Sequence, residues 1–200
     1  MAVVGLGIGT LAAYSEAGQQ LTFFEIDPAI ADLASDARQF TYLSDSPART
    51  RIVLGDARIA LAKEPEQAFD VLVVDAFSSD AVPVHLLTRE ALQLYLQKLD
   101  ASGVIAFNIT NSYLNMTPLI ADLAHDAGLV VLVQEDAQID ADAMSIGKAT
   151  SRWAVMARSA AALGPLVNDA RWRPVGARPV PATWTDDFSD PLSLVRWFGN

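Results

Sequence analysis

Val3-Val4-Gly5-Leu6-Gly7-Ile8-Gly9-Thr10-Leu11 reads as a short buried strand, a glycine turn and the opening of a helix. β-Branched residues suit a packed strand. Gly5, Gly7 and Gly9 let backbone approach a ligand where a Cβ would clash. A dinucleotide fingerprint would place its third glycine at position 10. Thr10 stands there instead, so the spacing is GxGxG, which favours an S-adenosyl cofactor over a dinucleotide. Glu25 closes the next apolar run. In an open parallel sheet, ligands bind beyond the carboxyl ends of the strands, at the switch point of the topology. A carboxylate there can accept both hydroxyls of a ribose.

Outward from this stretch, strands and helices alternate. Strands are expected at Ala2 to Gly5, Leu21 to Ile26, Arg51 to Leu54, Phe69 to Val74, Val104 to Ile109, Leu129 to Gln134 and Ser151 to Ala157. Helices are expected at Thr10 to Ala17, from Asp27-Pro28 onward, at Ala57 to Lys63, Thr88 to Leu99 and Asn115 to Ala127, and again from Ser159 to about Ala170. Asp27 reads as an N-cap with Pro28 at N1, and Thr88 as a second N-cap. Ile30, Leu33, Ala34 and Ala37 recur at helical spacing. Asp100-Ala101-Ser102-Gly103 reads as a turn, and Asp136 to Lys148 as a loop. This order predicts an α/β, doubly wound, Rossmann-like sheet of seven strands, mostly parallel, with an antiparallel C-terminal hairpin. One domain is expected over residues 1–200, with its core at about 2–160 and a tail at 173–200.

More acids end the following strands. Asp56, in Gly55-Asp56-Ala57, can accept from an adenine amino group while the Ala57 N–H donates to a ring nitrogen. The same carboxylate can cap the next helix, and both uses can hold at once. Asp75 ends the fourth strand, and Asp80 follows in Asp75-Ala76-Phe77-Ser78-Ser79-Asp80. Two acids there suit binding an amine and taking its proton. An ammonium has no lone pair, so attack on a sulfonium carbon needs a base within about 3 Å of the nitrogen. Asp75 can also serve as a cofactor contact, and Asp80 as a loop cap. His85 and His125 lack metal-ligand spacing, and no metal is expected. Asp186-Asp187 reads either as a flap over a site or as a polar turn.

The formal charge of −10 argues against a nucleic-acid partner and suits a cationic substrate. There is no cysteine, so disulfides and thiolate metal sites are excluded. No apolar run reaches the roughly 18–20 residues that cross a bilayer, so direct membrane insertion is not expected. Without a signal-peptide pattern at the N-terminus, the expected location is cytoplasmic.

Together, the glycine turn, Glu25-Ile26-Asp27-Pro28, Gly55-Asp56-Ala57-Arg58, Asp75 to Asp80 and Leu87-Thr88-Arg89-Glu90 resemble the spermidine synthase family. They are most similar to its bacterial spermidine synthase-like members, some of which are fused behind a membrane-transporter-like domain. The resemblance covers about residues 2–130. It implies the class I methyltransferase fold and a small-molecule amine as acceptor, and it is compatible with a homodimer. The implied reaction is transfer of an aminopropyl group from decarboxylated S-adenosylmethionine to a polyamine such as putrescine. Glu25 would hold the ribose with Ile26 beside it, and Asp56 and Ala57 the adenine. Asp75 would touch the cofactor and act as base, and Asp80 would steer the amine. Polyamine synthases carry an acid inside the glycine turn, where this chain has Ile8. They also have an N-terminal β-domain, and no counterpart of it is expected within these residues. Ordinary S-adenosylmethionine with methyl transfer to a small molecule therefore stays open, as does a non-catalytic nucleoside-binding role.

Overall fold

The computed structural model describes residues 1–76 and 83–196. They fall into two compact units. The first holds the strands up to Val74 together with Leu94–Gly103, and the second holds the start of the following helix and the chain from Val104 on.

The first unit is built on β1 (Ala2–Val4), β2 (Gln20–Glu25), β3 (Arg49–Leu54) and β4 (Phe69–Val74), lying side by side as β3-β2-β1-β4 and parallel. Val3 pairs with Phe23 and Val73, Val4 with Phe24 and Val74, and Glu25 with Leu54. Successive strand residues point to opposite faces. Phe23 and Phe24 are both fully buried, so both faces of β2 are covered. Each buried phenylalanine stabilises the fold by about 1.5–3 kcal/mol. Arg49, Thr50 and Arg51 are exposed on β3, the edge strand, where charge discourages pairing with another chain.

Two helices complete this unit. In α1 (Pro28–Ser35) the Asp27 carboxylate accepts the Ala29 N–H at 2.8 Å, with Pro28 in the first turn as expected. Its buried stripe is Ala31 and Ala34, while Leu33 is 42% exposed. The helix ends at Ser35, before Ala37. α2 (Ala57–Ala62) is closed by the buried Lys98, whose Nζ donates to the carbonyls of Ala62 and Glu64. A cation suits the C-terminal end of a helix.

The expected helix at Thr10 to Ala17 is a 3-10 turn over Thr10–Tyr14. Ser15 stops it: its hydroxyl donates to the Ala12 carbonyl at 2.7 Å and bonds the Ser46 hydroxyl at 2.8 Å, and its backbone turns extended. Such local side-chain bonds compete with helix propagation.

α3 (Arg89–Lys98) and β5 (Leu99–Asn108) run from one unit into the other. Thr88 caps α3, accepting the Ala91 N–H. The turn expected at 100–103 is the start of β5. A Cβ at Gly103 would lie 3.1 Å from the Asp70 carbonyl oxygen, so glycine lets the strand pass close to β4.

The second unit adds α4 (Thr117–Asp126), β6 (Val130–Asp136), α5 (Ala141–Ser145), β7 (Ser151–Ala157) and β8 (Trp172–Pro174). β7 is antiparallel to β5 and β6, and β8 is antiparallel to β6. Leu132, Val155, Ala157 and Leu163 form a core here, packed by Leu166 and Trp172. The loop expected at 136–148 contains α5, started by Asp140 accepting the Ala143 N–H at 2.7 Å. The helix expected from Ser159 is a 3-10 segment, Ala161–Asn168, kinked at Gly164 (φ 56°) and followed by Pro165. Among the described residues the strand order is β3-β2-β1-β4-β5-β7-β6-β8, eight strands rather than the seven expected, with the expected antiparallel hairpin.

Among the described residues, no helix is long and apolar enough to cross a membrane, and no three His, Cys, Asp or Glu side chains cluster as a metal site would require.

Candidate functional site

The parallel ladder runs one residue beyond β1, β3 and β4. The Gly5 N–H donates to the Phe24 carbonyl, Asp75 N–H to Val4 and Gly55 N–H to Glu25, each at 2.8 Å. This sets Gly5, Glu25, Gly55 and Asp75 at one edge, the carboxyl end of β1 to β4. Reversal of strand order between β1 and β4 makes this edge the switch point where open α/β sheets bind ligands.

Within it, the glycine turn is held from two sides. Gly5 has φ +94°, and a Cβ there would sit 2.3 Å from the Asp75 carbonyl oxygen. At Gly7 (φ +53°) a Cβ would meet none of the described residues within 4 Å. A Cβ at Gly9 would lie 3.0 Å from the Leu43 side chain. Leu43 belongs to the polar segment after α1, and with the Ser15–Ser46 bond it props the turn from behind. Neither residue was a candidate from sequence, because the segment carries no motif.

Glu25 is 8% exposed. Its Oε2 accepts the Leu6 N–H at 3.0 Å and its Oε1 accepts the Asp27 N–H at 2.9 Å. The carboxylate thus ties the glycine turn to the end of β2. A carboxylate offers about four lone-pair sites, so this use leaves acceptor capacity for a ligand. Beside it Ile26 is 69% exposed, a large apolar side chain left in solvent.

Asp56 caps α2, its Oδ1 accepting the Ile59 N–H at 3.0 Å. The capping alternative is therefore realised, and Ala57 sits in the first turn, mostly buried. Tyr95 of α3 is fully buried. Burial pushes its hydroxyl well above the ordinary tyrosine value, with Arg58 pulling it down and Asp56 pushing it up. Asp56, Arg58 and Tyr95 thus form one electrostatic group. Arg58 lies inside the quoted Gly-Asp-Ala-Arg motif, so it was findable, whereas Tyr95 looked like one more apolar position of a helix.

Asp75 directly follows β4 and is half-buried. Asp80 lies outside the described residues, so only Asp75 of the expected acid pair is placed. Asp186 belongs to a turn: its Oδ1 accepts from the Thr88 hydroxyl at 2.8 Å, its N–H donates to Glu90, and Thr185 bridges to Phe188.

No protein-family model matches the chain. Over 113 residues it is 33% identical to a polyamine aminopropyltransferase of Vibrio vulnificus, which covers 53% of this chain and 36% of that protein. Over 112 residues it is 36% identical to an N-terminal histidine N-methyltransferase of Emericella nidulans, covering 53% of this chain and 19% of that one. The chain therefore spans well under half the length of these relatives. Among solved structures, a probable spermidine synthase from Corynebacterium glutamicum aligns over 91% of this chain and 72% of its own, with TM-score 0.57 and 16% identity. A SAM-dependent methyltransferase from Archaeoglobus fulgidus aligns over 79% and 85%, with TM-score 0.51 and 16% identity. The fold is that of SAM-dependent methyltransferases and spermidine synthases, and the sequence is similar to polyamine aminopropyltransferases.

Proposed function

We propose that this chain binds an S-adenosyl nucleoside at the carboxyl end of β1 to β4 and transfers an aminopropyl group from decarboxylated S-adenosylmethionine to a polyamine such as putrescine. The observation that carries this reading is the alignment of Gly5, Glu25, Gly55 and Asp75 on one edge by the ladder that continues past the strands. The named aminopropyltransferase relative supports it. The ribose hydroxyls would be accepted by the spare lone pairs of Glu25. Ile26 would offer an apolar surface to the purine, with Asp56 and the Ala57 N–H at its polar edge.

In the reaction the amine nitrogen attacks the aminopropyl carbon bonded to sulfur. The new C–N bond forms as the C–S bond breaks, and the bonding pair returns to sulfur, giving neutral methylthioadenosine. The nitrogen must shed a proton, and Asp75 would accept it, with Asp80 steering the amine. No metal has a role in this chemistry.

A second reading rests on Ile8. With an uncharged side chain in the glycine turn, the ammonium of a propylamine gains no partner there and a carboxylate meets no repulsion. Ordinary S-adenosylmethionine and methyl transfer to an amine then become the alternative.

Titration calorimetry with decarboxylated S-adenosylmethionine, its parent and methylthioadenosine separates the two. The expected result is tighter binding of the decarboxylated donor at low ionic strength. Equal or weaker binding than the parent would leave methyl transfer, and binding of none of the three would end both readings. Asp75→Asn should lower turnover by about 10²-fold or more, as loss of a general base does, with nucleoside affinity kept. Undiminished turnover removes Asp75 as the base.

A further inference from the structure

Within the second unit, a cleft of about 490 Å³ is lined by Asn115, Pro118, Arg152 and the stretch from Ser193 to Arg196. Its size falls in the range of small-molecule sites. No acidic side chain lines it among the described residues, although the protein as a whole carries a formal charge of −10.

The two arginines are placed by different means. Arg152 stands on β7 with its side chain only 15% exposed. It donates to Glu135, its cross-strand neighbour on β6, and weakly to the Asn115 amide oxygen at 3.5 Å. A guanidinium has five N–H donors, so most of them remain for a ligand. Arg196 is set by its backbone. Its N–H donates to the Tyr113 carbonyl at 2.8 Å, the Asn115 N–H donates to Leu194 at 2.7 Å, and Leu114 bridges to Val195. The tail is thereby strapped alongside the loop that follows β5. Beside the arginines, Asn115 and Ser193 add polar groups to the lining, and Pro118, Leu194 and Val195 add apolar ones.

We propose that this cleft binds a small aliphatic carboxylate, its charged group accepting from the N–H edges of the Arg152 and Arg196 guanidiniums and its chain against Pro118, Leu194 and Val195. Arginine matches a carboxylate with two parallel N–H bonds, which a neutral amide or a diamine cannot reproduce. The mostly buried Arg152 acts where water screens little, while Glu135, the acid it pairs with among the described residues, is half-exposed and outside the lining. This assignment does not depend on the nucleoside reading, since every residue it uses lies in the second unit.

Titration of the full chain with valerate, followed by calorimetry at low salt, tests it. Saturable binding is expected, with Arg196→Gln weakening it at least about tenfold, as loss of one charge-assisted pair does. Arg196 is exposed and its placing bonds are backbone ones, so this variant should keep the wild-type melting temperature. Arg152→Gln should weaken valerate similarly, and valeramide, putrescine and inorganic phosphate should each bind at least about tenfold more weakly than valerate. Wild-type affinity in Arg196→Gln, equal binding of phosphate or valeramide, or no saturation by valerate would each overturn the proposal.

Discussion

An alanine at position 5 would put its Cβ 2.3 Å from the Asp75 carbonyl oxygen, backbone that has nowhere to retreat. Position 7 shares the turn and the positive φ, yet a Cβ there meets none of the described residues within 4 Å. The two glycines therefore fail differently. Gly5→Ala should cost about 3 kcal/mol or more through clash and strain, seen as a large fall in the urea midpoint. Gly7→Ala should cost about 1–2 kcal/mol from backbone conformation alone. If the turn receives the nucleoside, it should nonetheless weaken methylthioadenosine binding at least about tenfold. A Gly7→Ala protein that binds as the wild type would detach the turn from the ligand. At this scale the sequence revealed residue types and their order, so Glu25, Asp56 and Asp75 were legible as acids ending successive strands. It did not reveal second partners. Glu25 bonding Leu6 and Asp27, or Leu43 lying against Gly9, arises from chain segments meeting in space.

Elements were legible where periodicity is strong and contacts are local. β4 has the expected bounds because an apolar run sits between polar breaks. β8 was not legible: it is three residues, Trp172-Arg173-Pro174, and exists only because β6 leaves an edge to pair with. α4 hid something else. Asp122 stands in the middle of its buried face, between Leu119, Ile120, Leu123 and Ala124. Its carboxylate is fully buried and accepts the Arg178 N–H at 2.9 Å, Arg178 Nε at 2.7 Å and the Ala182 N–H at 3.0 Å, fastening the proline-rich tail onto the helix. Burial alone would raise its pKa, but the donors of Ala182 and Arg178 and the guanidinium charge outweigh burial, and the value is lowered. A depressed folded value contributes stability that is fully present above the ordinary carboxylate range, near 4, and is lost as pH falls through the folded value. Asp122→Asn replaces an acceptor with a donor facing N–H groups, so it should cost about 3 kcal/mol at pH 7. The gap between wild type and variant in urea midpoint should narrow as pH drops below about 4. A gap that stays constant with pH would show that the ionised form of Asp122 contributes nothing.

For the molecule as a whole, the charge of −10 bears on which donor the proposed nucleoside site would favour. S-adenosylmethionine carries a sulfonium, an ammonium and a carboxylate, for a net charge of +1. Its decarboxylated form keeps both cations and loses the anion, for a net charge of +2. An acidic protein attracts the second more strongly at long range. Ile8 adds no charge in the turn to reinforce that attraction at short range. The preference for the decarboxylated donor should therefore be mainly a field effect, and salt should erase it. Screening shortens from about 30 Å at 0.01 M to about 3 Å at 1 M ionic strength. A ratio of dissociation constants near tenfold in the dilute buffer should accordingly fall to within about twofold in the concentrated one. Ile8→Asp should restore a preference that survives high salt, because its carboxylate would meet the propylammonium within a few Å. Calorimetry of wild type and variant with both donors at the two salt levels checks this. A wild-type preference that persists at 1 M would require a short-range partner for the ammonium other than residue 8, and the field account would then fail.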